Sequence, residues 1–413
     1  MKRLYKFLIA CLCATLFPFS VHALDTYSTD AEHSIAIEAQ TGKILYEQNA
    51  TTPASIASLS NLLTVYLVYE VIEQKKLTLD TQVPISDYAY NLTIASPVTN
   101  VPLDKRSYSV QELIKASLIA SANSATIALA EQVAGSEAAF VDLMKEKLVS
   151  WGISDATIIN STGLSTDLLE EKQPSDETSE TKSEENRLSA LDVAIVARRL
   201  ILDYPQVLKV TSQSHFKLNE TTHYGTNALL RGGAYERGGV DGLKTASGTS
   251  IVATSVENGM RVITVILHTK EGDLYPEKRF LETINLMNYS YTYFKWIPIV
   301  EAGQPYHDSK VTVFNGGKAT AEAVAKEDLM FVKRERYTEE TKAKAEGLQT
   351  VFDAPLAKGS VLGTLTLNDT DLIGHGYVDQ QPSVELVAAE NTPPAIWPFS
   401  WWNHFVRYVN ENL

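Results

Sequence analysis

Ala57-Ser58-Leu59-Ser60-Asn61 stands directly ahead of Leu62-Leu63-Thr64-Val65-Tyr66-Leu67-Val68-Tyr69. In that run Leu62, Val65, Tyr66 and Tyr69 recur at helical spacing, which predicts a helix from Leu59 to about Glu73 with Ser58 at its head. Two further short segments follow in order. Ser121-Ala122-Asn123 is the second, and Gly239-Val240-Asp241-Gly242-Leu243-Lys244-Thr245-Ala246, leading into a strand, is the third. Ser58 and Ser121 lie 63 residues apart, and Ser121 and Lys244 lie 123 apart. A single Ser-x-Asn has almost no specificity; three ordered elements in matching context carry far more.

The flanking sequence supplies the frame. Ser34–Ala39 and Lys43–Gln48 are strand-like runs parted by Gln40-Thr41-Gly42, a hairpin whose Gly42 provides the positive φ of the turn. Ser109-Val110-Gln111-Glu112 is a capping-box signature, and helical patterning continues to about Tyr204. Residues 249–268 return to strand pattern, Arg261–Leu267 being almost all β-branched or apolar. Pro276 suits the first turn of a helix running to about Trp296. After Pro298, β-rich runs such as Leu329–Val332 and Ser360–Leu367 alternate with turns, which predicts a small all-β domain ending near Val387. Asp167–Asn186 carries eight acidic residues and almost no apolar ones, the composition of a solvated loop.

Glu390-Asn391-Thr392-Pro393-Pro394 reads as a linker. Beyond it, in Ala395–Leu413, Trp402, Phe405, Val406, Val409 and Leu413 share a helical face, with Trp397, Phe399 and Trp401 just upstream. Asn403, His404, Arg407, Asn410 and Glu411 fall opposite. This segment holds three of the five tryptophans and is expected to lie in the plane of a membrane surface. The plainer alternative is docking on the protein's own β-domain, and the polar face is not basic. At the other end, Met1, Lys2, Arg3 and Lys6 precede the apolar run Phe7–Phe17, and Val21-His22-Ala23 offers a cleavage site before Leu24. Both cysteines, Cys11 and Cys13, fall within this export signal, so the mature chain is expected to have neither disulfide nor thiol nucleophile.

The chain has 413 residues, 44% hydrophobic and 21% charged, enough to bury one large core and a smaller one. Its formal net charge of −14 repels phosphate backbones and argues against nucleic acid as a partner. There is no His-Glu-x-x-His, no cysteine cluster and no glycine-rich phosphate loop.

The three segments resemble the Ser-x-x-Lys, Ser-x-Asn and Lys-Thr-Gly triplets of penicillin-binding proteins and serine β-lactamases. Residues 35–39 and 41–46, Ser121–Ala125 (SANSA), Asn160–Leu164 (NSTGL) and Val240–Thr245 (VDGLKT) are similar to phrases of low-molecular-mass D-alanyl-D-alanine carboxypeptidases. That resemblance implies an α/β (α+β) transpeptidase-like domain, with an antiparallel sheet flanked by helices, then a small all-β domain and a C-terminal amphipathic helix. The expected division is a signal peptide over 1–23, the carboxypeptidase domain over 24–297, the all-β domain over 298–388, and linker plus anchor over 389–413. The implied activity is removal of the terminal D-Ala from peptidoglycan stem pentapeptides, with no cofactor and with β-lactams as inhibitors.

By the same resemblance Ser58 is the nucleophile, Ser121 relays protons, Asn123 contacts substrate, and Lys244 and Thr245 hold the substrate carboxylate. Ser247 is a weaker candidate for an oxyanion N–H. Singly, each has a plainer reading: Ser58 as a helix cap, Ser121 and Asn123 as helix-start residues, Lys244 as a solvated strand residue. Two positions depart from the family. Asn61 stands where the lysine that deprotonates the serine is expected, and an amide has no basic lone pair at neutral pH. Ala246 stands where the third motif has glycine. The other Ser-x-x-Lys matches, Ser179–Lys182 and Ser214–Lys217, do not precede an apolar helix. The departures leave a rival expectation: a catalytically degenerate homologue that binds wall peptides or wall enzymes.

Overall fold

The computed structural model describes residues 27–94, 98–169, 183–245, 249–337 and 341–412. The segment expected to be an export signal, most of the acidic insert, Ala246 and Ser247 lie outside the described residues.

Five antiparallel strands form the main sheet: β1 (Ala31–Glu38), β2 (Ile44–Gln48), β3 (Val240–Thr245), β4 (Ile251–Glu257) and β5 (Met260–Thr269). Their order is β2-β1-β5-β4-β3, so chain-distant β1 and β5 pair at the centre, with Ile35 opposite Val265. Successive side chains of a strand point to opposite faces. Here both faces are covered, which is why these strands read as nearly continuous apolar runs. Ile35, Ile37, Ile263, Val265 and Leu267 enter one core, and Ala36, Val262 and Ile266 enter the other.

The first core is closed by α1 (Asn61–Glu73), α2 (Val110–Ile119), α3 (Asn123–Ala134), α4 (Glu137–Ser150) and α5 (Ala190–Asp203). The expected capping box is present: Ser109 accepts from the Glu112 N–H, and Glu112 accepts from the Ser109 N–H. The second core is covered by α6 (Lys278–Tyr293), through Leu286, Met287 and Tyr289. This helix stops earlier than the sequence suggests. Phe294 takes extended backbone and begins β6 (Phe294–Val300). Phe294–Pro298 pair with the strand Leu329–Arg334, and tertiary pairing overrides the helical pattern up to Trp296.

The C-terminal part contains β7 (Lys310–Phe314), β8 (Thr320–Ala325), β9 (Leu329–Arg334), β10 (Lys342–Glu346), β11 (Val351–Asp353), β12 (Val361–Asn368) and β13 (Ser383–Ala388). Six of these make a sheet ordered β10-β12-β13-β8-β7-β11, and β9 pairs with β6. A helix, α7 (Phe399–Asn412), follows. Among the described residues no helix is long and apolar enough to cross a membrane.

The two parts meet at the β1–β2 turn. Lys43 Nζ is wholly buried, 2.6 Å from Asp369 Oδ2 and 2.9 Å from the Val332 carbonyl, with the Phe331 ring centroid at 4.6 Å. Tyr377 donates to the same carboxylate at 2.7 Å. Backbone bonds from Ile44 to Gly376 and from Val378 to Gly42 flank this pair. Arg198 of α5 adds bonds to the Ala39 and Gln40 carbonyls and to Asp379. A buried ion pair adds little over an apolar pair, but a lone buried charge is costly. Asp369→Ala is therefore expected to cost about 3–5 kcal/mol, read as a lower urea midpoint. Adding Lys43→Met should recover most of the loss. A single variant as stable as the parent would contradict this account of the junction.

Candidate active site

Ser58 lies in a single 3-10 turn, Ala57–Ser60, that runs directly into α1. Ile56 and Leu59 are buried on either side of it and hold the turn in the first core. The turn is fixed by polar groups from distant loops. Ser60 Oγ donates to the Ala57 carbonyl at 2.8 Å, and Asn186 Nδ2 donates to Ser60 Oγ at 2.9 Å and to the Asn160 carbonyl at 2.8 Å. Asn160 Oδ1 accepts from the Thr162 and Gly163 backbones. Gly163 has φ +74°, and a Cβ there would stand 1.9 Å from the Ala57 carbonyl oxygen. Only glycine allows the Asn160–Leu164 loop to approach the serine turn this closely. This gives the NSTGL phrase a physical role. Asn186, at the edge of the acidic insert, carried no sequence signal.

Ser121 sits in the three-residue break between α2 and α3 with φ +58°, and is 5% exposed. A left-handed φ at a non-glycine residue costs free energy, and such positions cluster at functional sites. Here it turns the side chain toward Ser58: the two Oγ atoms are 3.0 Å apart. Lys244 reaches Ser121 from the edge strand β3, its Nζ 2.8 Å from Ser121 Oγ. Thus Ser58, Ser121 and Lys244, from three separate segments, form one hydrogen-bonded line.

Lys244 is 1% exposed, so its plainer reading as a solvated strand residue fails. Burial pushes its ammonium down to about 7. Its depth follows from the strand. β3 packs close to the short helix Leu208–Thr211, and Gly242, at φ +151°, has Thr211 Oγ1 2.2 Å from where a Cβ would be.

The remaining predicted residues are placed as follows. Asn123 begins α3; its Nδ2 donates to the Thr99 carbonyl at 3.0 Å, and its buried Oδ1 has no partner among the described residues. Thr245 ends β3 with its backbone opposite Ile251. Asn61 is fully buried in the first turn of α1. Its Nδ2 donates to the Ser117 carbonyl at 3.3 Å, and its Oδ1 is likewise unpartnered among the described residues. The amide is thus committed to α2 rather than to Ser58. Of the other Ser-x-x-Lys matches, Ser214–Lys217 falls at the hairpin strand His215–Leu218, away from any helix start, and Ser179–Lys182 lies outside the described residues.

Comparison with known proteins agrees with this framework. Residues 19–271 match the family described as D-alanyl-D-alanine carboxypeptidase, and residues 294–393 match that described as Penicillin-binding protein 5, C-terminal domain. The D-alanyl-D-alanine carboxypeptidase DacF of Bacillus subtilis is 28% identical over 382 residues, covering 89% of this chain and 90% of the relative. A crystal structure of a peptidoglycan synthesis regulatory factor (PBP3) from Streptococcus pneumoniae is 47% identical. It covers 89% of this chain and 100% of that one, with a TM-score of 0.81. Penicillin binding protein 5 from Haemophilus influenzae is 25% identical, covers 89% and 98% of the two chains, and superposes with a TM-score of 0.68. By the match to more than half its length, this chain belongs to the D-alanyl-D-alanine carboxypeptidase family.

Proposed function

We propose that this chain is a serine-type D-alanyl-D-alanine carboxypeptidase that removes the terminal D-Ala of peptidoglycan stem peptides and is acylated by penicillins. The observation that carries this reading is the buried contact of Ser58 with Ser121 and of Ser121 with Lys244. Ser58 Oγ attacks the carbonyl of the penultimate D-Ala. The tetrahedral oxyanion forms beside the backbone N–H groups at the head of α1. Ser121 passes protons between Ser58 and the leaving nitrogen. Asn123 contacts the substrate amide, and Lys244 with Thr245 receives the terminal carboxylate. Water then hydrolyses the acyl-enzyme. The family match and the named relatives support this reading over a purely binding homologue.

We further assign residues 1–23 to an export signal, 24–297 to the carboxypeptidase domain, 298–388 to the all-β domain and 389–413 to a linker and anchor. The protein is placed on the outer face of the cytoplasmic membrane. Support comes from how α7 sits. Ser400 and His404 accept bonds from Asn315 Nδ2, and Asn403 donates to Asn315 Oδ1. Arg407 reaches Asp353 at 2.6 Å and lies over the Phe314 ring. Four polar side chains of the helix thus face the β-domain, while Trp397, Phe399, Trp401, Trp402 and Phe405 stand exposed. Such an aromatic stripe suits the headgroup region of a bilayer, and it needs no basic face. The linker is docked as well: Gly317 bonds the Pro393 carbonyl, and Leu356 and Thr392 bond each other's backbones.

Two experiments test these assignments. Truncation after Pro394 should release soluble, folded protein, and a truncated form that still sediments with membranes would refute the anchor. Asn61→Lys adds an amine one helical turn from Ser58. It should speed labelling of Ser58 by a fluorescent penicillin, up to the general-base factor of about 10²–10⁴-fold. Ser58→Ala in that background should abolish the adduct located by mass spectrometry. Labelling unchanged by the added lysine would show that residue 61 does not limit acylation.

A further inference from the structure

We propose that in this chain Lys244, acting through Ser121, takes the proton from Ser58 during acylation. This rests on the acyl-transfer reading above and assigns the base that Asn61 cannot supply.

Geometry carries the assignment. Asn61 is turned to the Ser117 carbonyl, whereas Ser58 Oγ, Ser121 Oγ and Lys244 Nζ follow one another at 3.0 and 2.8 Å. Ser121 holds its place in that line through an unfavourable left-handed φ, so the line is built rather than incidental. All three side chains are buried, which shields the line from bulk water.

The same line works in both protonation states. With Lys244 as ammonium, it donates to Ser121, and Ser121 donates to Ser58. With Lys244 as amine, the line reverses: Ser58 donates to Ser121, and Ser121 donates to the nitrogen lone pair. In the reversed state the Ser58 Oγ–carbonyl carbon bond forms as the carbonyl pair moves onto oxygen. The Ser58 proton passes to Ser121, and the Ser121 proton passes to Lys244. On collapse the carbon–nitrogen bond breaks, and the Lys244 ammonium returns a proton through Ser121 to the leaving nitrogen. No other reagent is consumed.

Burial lowers the Lys244 ammonium to about 7, so amine and ammonium coexist near neutral pH. The carboxylates on surrounding elements are engaged elsewhere. Asp241 of β3 binds Arg261 at 2.8 Å, Glu257 of β4 binds Arg237 at 2.5 Å, and Glu112 of α2 closes its capping box. Lys115 of α2 is half-buried, and Lys209 of the short helix Leu208–Thr211 is exposed. The amine fraction grows as pH rises, so acylation should rise with pH and level off above the lysine's titration.

The test is the second-order rate constant for labelling of Ser58 by a fluorescent penicillin, measured across neutral pH, since this constant reports the free protein. The parent should gain about tenfold per pH unit on the acid side and flatten near 7. Lys244→Arg keeps the cation that meets the carboxylate but cannot become a free base. It should lose the inflection and fall on the order of 10²–10⁴-fold in the maximal acylation rate, with a smaller change in the concentration of half-saturation. Asn61→Lys in the Lys244→Arg background should restore much of the rate, which distinguishes loss of a base from loss of fold. A parent profile flat through neutrality, or a Lys244→Arg profile superimposed on the parent's, would overturn the proposal. Absence of any Ser58 adduct in the parent would refute the acyl-transfer reading itself, and this assignment with it.

Discussion

The contact of Ser58 with Ser121, and of Ser121 with Lys244, is the constraint around which the rest of the domain is arranged. Three segments far apart in the chain must deliver three polar atoms to one buried point. Each arrives by a different device: the serine turn through a loop glycine and two asparagines, Ser121 through a left-handed break between two helices, and Lys244 through an edge strand packed on a short helix. Buried polar groups are costly unless satisfied. The hydrogen-bonded line satisfies all three while leaving Lys244 close to neutrality, because burial disfavours its charge.

Asn61 shows how much of this arrangement survives without a lysine at that position. The side chain is fully buried, spends its amide nitrogen on the Ser117 carbonyl and leaves its oxygen unpartnered among the described residues. An unsatisfied buried acceptor costs about 1–3 kcal/mol, so stability alone does not recommend this residue. What Asn61 does achieve is a tie between α1 and α2, the two helices that bracket the site. Ser121 Oγ lies 3.0 Å from Ser58 Oγ and 2.8 Å from Lys244 Nζ with asparagine at position 61.

The C-terminal part follows a related economy. Lys43 and Asp369 bury opposite charges at the junction, with Tyr377 and the Val332 carbonyl completing their hydrogen bonds. Ser400, Asn403, His404 and Arg407 of α7 bond Asn315 and Asp353. That docking fixes which side of the helix points away from the protein, and the outward side is the aromatic one. Docking on the β-domain is thus present, and it leaves the aromatic side free for the proposed surface attachment.

The sequence alone determined what depends on local pattern. The β1–β2 hairpin, the helix after Ser58, the Ser109 capping box, the strands of residues 249–268, the β-rich C-terminal part and the amphipathic terminus were all legible from periodicity and turn chemistry. The candidate residues Ser58, Ser121, Asn123, Lys244 and Thr245 were legible from three ordered motifs. Only the tertiary structure decided that α6 yields to a strand at Phe294, because pairing with β9 outweighs helical propensity. Only it joined Asn160 and Asn186 to the serine turn, buried Lys43 against Asp369 and turned Asn61 toward Ser117. These contacts link residues tens to hundreds of positions apart, and no local pattern records them. The lowered ammonium of Lys244 has the same origin, since desolvation is a property of everything packed around a group and not of its neighbours along the chain.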